Sequence, residues 1–414
     1  MTGRRILLTL VLILGLSAQA SALPLIVELG PLSSITSVVA VLGGSLVDQI
    51  PGTKIYLLNV PVVPLPWIAS LLGIQWMETN NGITMPGIVP PQALSVPPSL
   101  AADWYKNQPS MIIIRSGNAW TYSTGSGVVV ADLNSTVDVG HPALIGHLTT
   151  GHDFVATKPP SYAALNQSSS SFMDQSSSSF MDQSSSSFMD QYGLSFLNQS
   201  SSSFMDGNPA YSHGTLTAGV IAVVAPDSMI MPLRVFDDEG SADLFVIAKA
   251  IHHAVNNGAQ VINMSFGTLQ NSSAVRGAIN YALSRNVVLV ASAGNNNTSS
   301  VQYPAAYNGV IAVAATDLQD RKASFSNYGS YVFADAPGVN IFSAYPGGGY
   351  SIVSGTSFSA PAVAGAAALI RSVRTTGTAG SISSSAVNID SINPGYSGEL
   401  GYGRIDVFEA VKPN

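Results

Sequence analysis

Between residues 127 and 314 the chain alternates short, almost purely apolar runs with stretches whose apolar positions recur every three or four residues. The runs at 127–131, 261–264, 287–291 and 310–314 are too short for helices and lack a polar face, as expected of strands covered on both sides. Between them lie two amphipathic helix faces. The first is Leu244, Ile247, Ala248, Ile251 and Val255, closed by Gly258; the second is Ala274, Val275, Ala278, Ile279, Ala282 and Leu283. This alternation predicts an α/β domain on a doubly wound, mostly parallel sheet. Chemistry in such sheets sits beyond the carboxyl ends of the strands. Asp132 and Asn295 are expected there, each just after an apolar run.

The segment Gly355-Thr356-Ser357-Phe358-Ser359-Ala360-Pro361 leads into an apolar stretch, 362–370, that reads as a buried helix. A serine at a helix start has an exposed hydroxyl beside N–H groups that lack intrahelical partners, a setting that suits a nucleophile and an anion. Pro361 fits near the first turn, where a missing N–H costs little. A glycine turn capped by serine is the bland alternative.

From about residue 116 to its end the chain resembles the subtilisin-like serine proteases, the subtilases. Gly355-Thr356-Ser357-x-Ser359-Ala360-Pro361 is similar to that family's nucleophile motif, and His213-Gly214-Thr215-Leu216-Thr217-Ala218-Gly219 to its histidine motif. Val128-Val129-Val130-Ala131-Asp132, followed by Val137-Asp138 and His141-Pro142, resembles the aspartate motif, and Ala291-Ser292-Ala293-Gly294-Asn295 the oxyanion-hole segment. The order Asp, His, Ser is the subtilisin order.

The resemblance implies that His213 takes the proton of Ser357, that Asp132 orients the imidazole, and that Asn295 donates its amide to the oxyanion. Asp138 rivals Asp132, because the family's Asp-Ser/Thr-Gly becomes Asp132-Leu133-Asn134 here and the spacing to His141-Pro142 is longer than usual. His141, His147, His152, His252 and His253 lack the context of His213 and read as structural. Ser265-Phe266-Gly267 and Gly240-Ser241-Ala242 resemble the two edges that pair with substrate backbone. Ala293 and Gly294 would border the first specificity pocket, with Tyr303-Pro304-Ala305 behind it.

The 414 residues include no cysteine, so neither disulfides nor thiolate metal sites contribute. A region of about 300 residues buries roughly three quarters of its unfolded surface and needs no cross-links. Only 9% of residues are charged and the net charge is −7, which gives no basic surface for nucleic acid. No cofactor is expected to be required; calcium is the alternative left open, with no site identifiable in the sequence. The stretch after His213 runs to Ala225 without a carboxylate, so the family's calcium site beside that helix is expected to be absent.

Residues 1–22 have the build of a signal peptide: Arg4-Arg5, an apolar stretch 6–16, and Ala20-Ser21-Ala22. Export follows, to the medium or a periplasm, with no membrane segment in the mature chain. Residues 23–80 read as a small α+β module. Its strands are expected at Leu25-Ile26-Val27, Ser45-Leu46-Val47, Ile55-Tyr56-Leu57-Leu58 and 71–78, with helices at 33–42 and near 63–72. This order is similar to the ferredoxin-like β-α-β-β-α-β propeptide that precedes many subtilase domains. Residues 81–115, with Pro86, Pro90, Pro91, Pro97 and Pro98, have linker composition. The catalytic domain is expected over 116–414.

An insertion at 167–206 consists of five octads of the form Gln-Ser-Ser-Ser-Ser-Phe-Met-Asp, the fourth degenerate, and reads as a flexible Ser-rich expansion. A stack of turns burying Phe172, Phe180, Phe188, Phe196 and Phe204 is the alternative. The function implied is that of a secreted, monomeric serine endopeptidase made as a zymogen, acting on polypeptides and bound by its own propeptide. A catalytically impaired peptide-binding protein on the same fold, and an esterase, are the rival readings.

Overall fold

The computed structural model describes residues 22–86, 92–94 (backbone), 103–155 and 209–413. The signal-like stretch, apart from Ala22, and the octads lie outside the described residues.

The N-terminal module is a four-stranded antiparallel sheet with two helices. Its elements are β1 (Leu23–Leu29), α1 (Ile35–Leu42), β2 (Ser45–Gln49), β3 (Ile55–Val60), α2 (Pro66–Leu71) and β4 (Ile74–Thr79). The strand order is β2-β3-β1-β4, so the β-α-β-β-α-β architecture is present. Gly43 ends α1 at φ 65, a left-handed cap that glycine adopts without a Cβ penalty. Pro66 opens α2 at its first position, which is why a proline-bearing stretch still forms that short helix. Leu25, Val27, Leu58 and Val60 fill the core of this module.

The stretch read as a linker is partly built into the sheets. β5 (Gly82–Thr84) pairs antiparallel with β10 (Ser241–Asp243), and β6 (Gln92–Leu94) pairs antiparallel with β15 (Gly349–Val353). Proline confines such segments to sheet edges but does not forbid strands between the prolines.

The large domain carries a seven-stranded parallel sheet in the order β14-β13-β12-β11-β7-β9-β8. Its strands are β7 (Val129–Asn134), β8 (His152–Asp153), β9 (Met229–Arg234), β11 (Val261–Met264), β12 (Val288–Ser292), β13 (Val310–Thr316) and β14 (Ala334–Pro337). Helices α3 (Pro209–Val224) and α6 (Thr356–Val373) cover one face, α4 (Leu244–Asn256) and α5 (Ser273–Ser284) the other. This is the doubly wound architecture. Alternation along β7 sends Val128 and Val130 toward α3 and α6, and Ala131 and Leu133 toward α4 and α5. By the same period of two, Asp132 and Asn134 share the face of Val130.

β7 extends three residues beyond the expected end at 131, so Asp132 sits inside the strand and not after it. Asn295 does follow its strand, β12. Pro361 lies in the second turn of α6, later than expected. A proline there leaves the carbonyl four residues earlier, that of Ser357, without its helical donor. Ser265 Oγ supplies the missing bond at 2.9 Å.

Candidate active site

His213 sits on α3, and its close approach to the end of β7 depends on the residue after it. A Cβ on Gly214 would lie 2.6 Å from Thr136 O and 2.8 Å from Ser135 O, so only glycine lets helix and loop meet. His213 Nδ1 then lies 2.8 Å from Asn134 Oδ1. The backbone N–H of Ser135 donates to the same oxygen at 2.9 Å. A backbone N–H can only donate, so the atom facing it, and facing His213, is the amide oxygen. An oxygen accepts only, so Nδ1 carries the proton and Nε2 holds the lone pair. That Nε2 is buried and has no partner.

The residue against His213 is therefore Asn134, and the expected contact from Asp132 is not made. Asp132 is two residues earlier on the same face of β7, fully buried, and turned toward other donors. Thr217 Oγ1 donates to its Oδ2 at 2.6 Å, Asn263 Nδ2 to its Oδ1 at 2.8 Å, and Asn134 Nδ2 lies 3.4 Å from both oxygens. Burial pushes its pKa up to about 6, with the three donors pulling the other way. Asp138, the rival, accepts from Gly140 N and Gly347 N in a loop and does not meet His213. The longer spacing to His141-Pro142 was the sequence signal that the site register lies two residues downstream, at Asn134.

Ser357 occupies the second position of α6, among the first-turn N–H groups that have no intrahelical acceptor. Its Oγ donates to Ser265 O at 3.2 Å, and Ser265 Oγ returns a bond to Ser357 O. The ring of the next residue, Phe358, lies 5.8 Å from the His213 ring, which brings α6 and α3 together at this point. In the full chain His213 and Ser357 are 1% and 2% exposed. Burial lowers the pKa of His213 to about 4, so the imidazole is neutral at neutral pH.

Asn295 Oδ1 accepts from Thr356 N at 2.9 Å and from Thr356 Oγ1 at 2.8 Å. The backbone donor again settles the amide, and Nδ2 lies beside Gly355, 3.4 Å from where a Cβ on that glycine would stand. Gly294 is held at φ 110, where a Cβ would lie 2.4 Å from Asn327 Nδ2. Ala293 O accepts from Asn327 Nδ2 and Tyr331 Oη.

Of the two expected substrate edges, one is in use. Ile83 pairs with Ala242 and Met85 N donates to Gly240 O at 2.8 Å, so the chain's own segment lies along Gly240, Ser241 and Ala242 as an added strand. Ile83 is buried in the cluster that holds Phe236, Leu244, Ile247 and Phe266. Among the described residues the other edge, Ser265, Phe266 and Gly267, pairs with no strand; Ser265 instead braces Ser357.

The other histidines lie outside this arrangement. His141 bonds Gly349 O and Ala143 N, His252 stacks on Tyr281, and His152 packs against His253. Helix α3 runs without interruption from Pro209 to Val224. Among the described residues no three His, Asp or Glu side chains are grouped to hold a metal, and no helix is long and apolar enough to cross a membrane.

A profile of the subtilase family matches residues 125–403. Thermitase of Thermoactinomyces vulgaris is 33% identical over 309 residues, which cover 72% of this chain and 94% of that protein. A thermophilic serine proteinase of Bacillus sp. (strain AK1) is 37% identical over 265 residues, 61% of this chain and 55% of that one. The chain thus spans about half the length of this second relative. Among solved structures, fervidolysin of Fervidobacterium pennivorans, described as a keratinolytic enzyme related to subtilisin, superposes with a TM-score of 0.69 at 23% identity, covering 96% of this chain and 62% of that one.

Proposed function

The chain belongs to the subtilase family, and we propose that it is an exported serine endopeptidase made as a precursor. Ser357 is the nucleophile and His213 the base. The observation that carries this reading is the buried, unpartnered Nε2 of a histidine whose Nδ1 is tied to an amide oxygen, on a helix packed against the start of α6. Attack on a peptide carbonyl requires the Ser357 hydroxyl to rotate from Ser265 O to Nε2, which takes the proton and later returns it to the leaving amine. The oxyanion is met by Asn295 Nδ2 and the Ser357 N–H, each donor being worth about 10²–10³ in turnover. The substrate's main chain adds to Ser241–Asp243, and the apolar cluster around Ile83 favours a large apolar side chain at the corresponding position.

Residues 23–80 act as an intramolecular inhibitor and folding aid, removed by the enzyme itself. Support comes from β5, which lies on the substrate edge, and from the slow folding expected of a sheet with many non-local pairings. A fluorophosphonate probe, applied to the matured chain beside Ser357→Ala, tests the chemistry; an unlabelled mature chain would sink it. Ser357→Ala should accumulate uncut, and equal processing of both forms would assign the cut to another protease. The impaired-enzyme reading rests on a specific observation, the amide at position 134 in place of a carboxylate, and the same labelling decides it.

A further inference from the structure

We infer that Asp132 is a positioning residue that acts on His213 at one remove, through Thr217 and Asn134, so that an amide performs the orienting task of a carboxylate. The inference rests on the proposed catalytic roles of Ser357 and His213. It follows from which groups are able to donate. An ionised carboxylate only accepts, so the Thr217 hydroxyl, 2.6 Å from Oδ2, must spend its one proton there. Thr217 Oγ1 is then an acceptor for Asn134 Nδ2, which lies 2.8 Å away. With its NH₂ committed to Thr217 and Asp132, Asn134 presents Oδ1 to His213 and to the Ser135 N–H. Each bond in the series sets the direction of the next, and the last one leaves Nε2 free as the base.

The second arm of Asp132 reaches the nucleophile's backbone. Asn263 Nδ2 donates both to Asp132 Oδ1, at 2.8 Å, and to Ser265 Oγ, at 3.0 Å, and Ser265 Oγ donates to the Ser357 carbonyl that Pro361 leaves unpaired. One buried carboxylate thereby registers β7, α3, β11 and α6 against one another. The groups that face it are Asn134 from its own strand, Thr217 from α3 and Asn263 from β11, none of them charged. The imidazolium that forms during attack is the charge it stabilises, across a short series of aligned dipoles.

The test compares fluorophosphonate labelling rates against pH for wild type, Asp132→Asn and the exchange variant Asp132→Asn/Asn134→Asp. Asp132→Asn is expected to slow labelling at least tenfold, within the ceiling of about 10⁴ set by a misoriented imidazole, and the exchange variant to restore it. Wild-type rates in Asp132→Asn, or an exchange variant as slow as the single one, would overturn the inference. If wild type itself fails to label, the parent reading falls instead. Should Asp132→Asn not fold, the ¹⁵N resonances of His213 in the Ser357→Ala precursor, assigned against His213→Gln, still decide. An Nδ1–H tautomer that persists at neutral pH, and gives way to Nε2–H or a mixture in Thr217→Val, is expected. An Nε2–H form in the precursor, or an unchanged spectrum in Thr217→Val, would overturn it.

Discussion

The N-terminal module and the large domain are stabilised in different ways. The large domain buries a seven-stranded sheet between two helix layers, with Val130, Val290, Ile262 and Leu289 fully enclosed. The module has one thin core, around Leu25, Val27 and Leu58, and leaves Leu65, Trp67 and Leu71 exposed. A unit of about 60 residues buries too little to be more than marginal by itself. Polar contacts made by its exit strand supply part of the remainder. Glu78 accepts from Ser272 Oγ and from the N–H groups of Ser273 and Ala274, capping α5, and Asn80 Oδ1 accepts from Phe245 N at the start of α4. Both caps place negative charge or an acceptor at a helix N-terminus, where orphan N–H groups and the dipole favour it. The module is thus held by helix ends that belong to the other domain.

The largest effect should come from deleting core volume on either side of this contrast. Leu58→Ala costs about 2–5 kcal/mol, enough to open the module inside the Ser357→Ala precursor while the sheet stays folded. Ile262→Ala, a similar loss, should leave both units folded. Hydrogen exchange reads the outcome, and a Leu58→Ala module as protected as the wild type would remove the contrast. Next in size is Glu78→Ala, which strips three bonds from the cap of α5. A loss of about 1.5–3 kcal/mol in docking follows, seen as faster digestion of the module by added protease. No change would mean that the β5–β10 ladder alone holds it.

Acid sharpens the view of the large domain. Asp132 binds its proton more tightly folded, at about 6, than unfolded, so its ionisation costs stability as pH rises through that value, and acidification from 7 to 4 relieves the cost. His213, lowered to about 4, works in the opposite sense: its stabilisation is present above the usual imidazole range and is lost as pH falls toward 4. The two nearly cancel in wild type. In the Ser357→Ala background, Asp132→Asn lacks the first effect and should lose about 2 kcal/mol more than its parent between pH 7 and 4. Parallel denaturant curves at both pH values would contradict this. Smallest of all is Lys249→Ala, which removes the partly exposed pair with Asp48 at 2.6 Å. It should change docking by less than about 1 kcal/mol, and a larger shift in the digestion assay would show that the pair is more than a surface contact.

The sequence by itself determined the doubly wound sheet, since strands apolar on both faces can be satisfied only between two helix layers. It also determined where Ser357 and Asn295 lie in the fold, because a serine at a helix start and an amide after a buried strand depend on neighbours a few residues away. The order of elements in the module was legible for the same reason. The spacing to His141-Pro142 carried a signal of the register, but only the tertiary structure showed that Asn134 is the side chain that meets His213. Residues 132 and 134 share one face of β7, so alternation cannot choose between them; the choice was made by how far α3 slides along the strand, which Gly214 permits. Only packing decided that Pro361 would sit a turn later than expected, because the stranded Ser357 carbonyl could be rescued by Ser265 from a distant strand. The pairing of β5 with Ser241–Asp243 was settled in the same way, by two edges far apart in the chain.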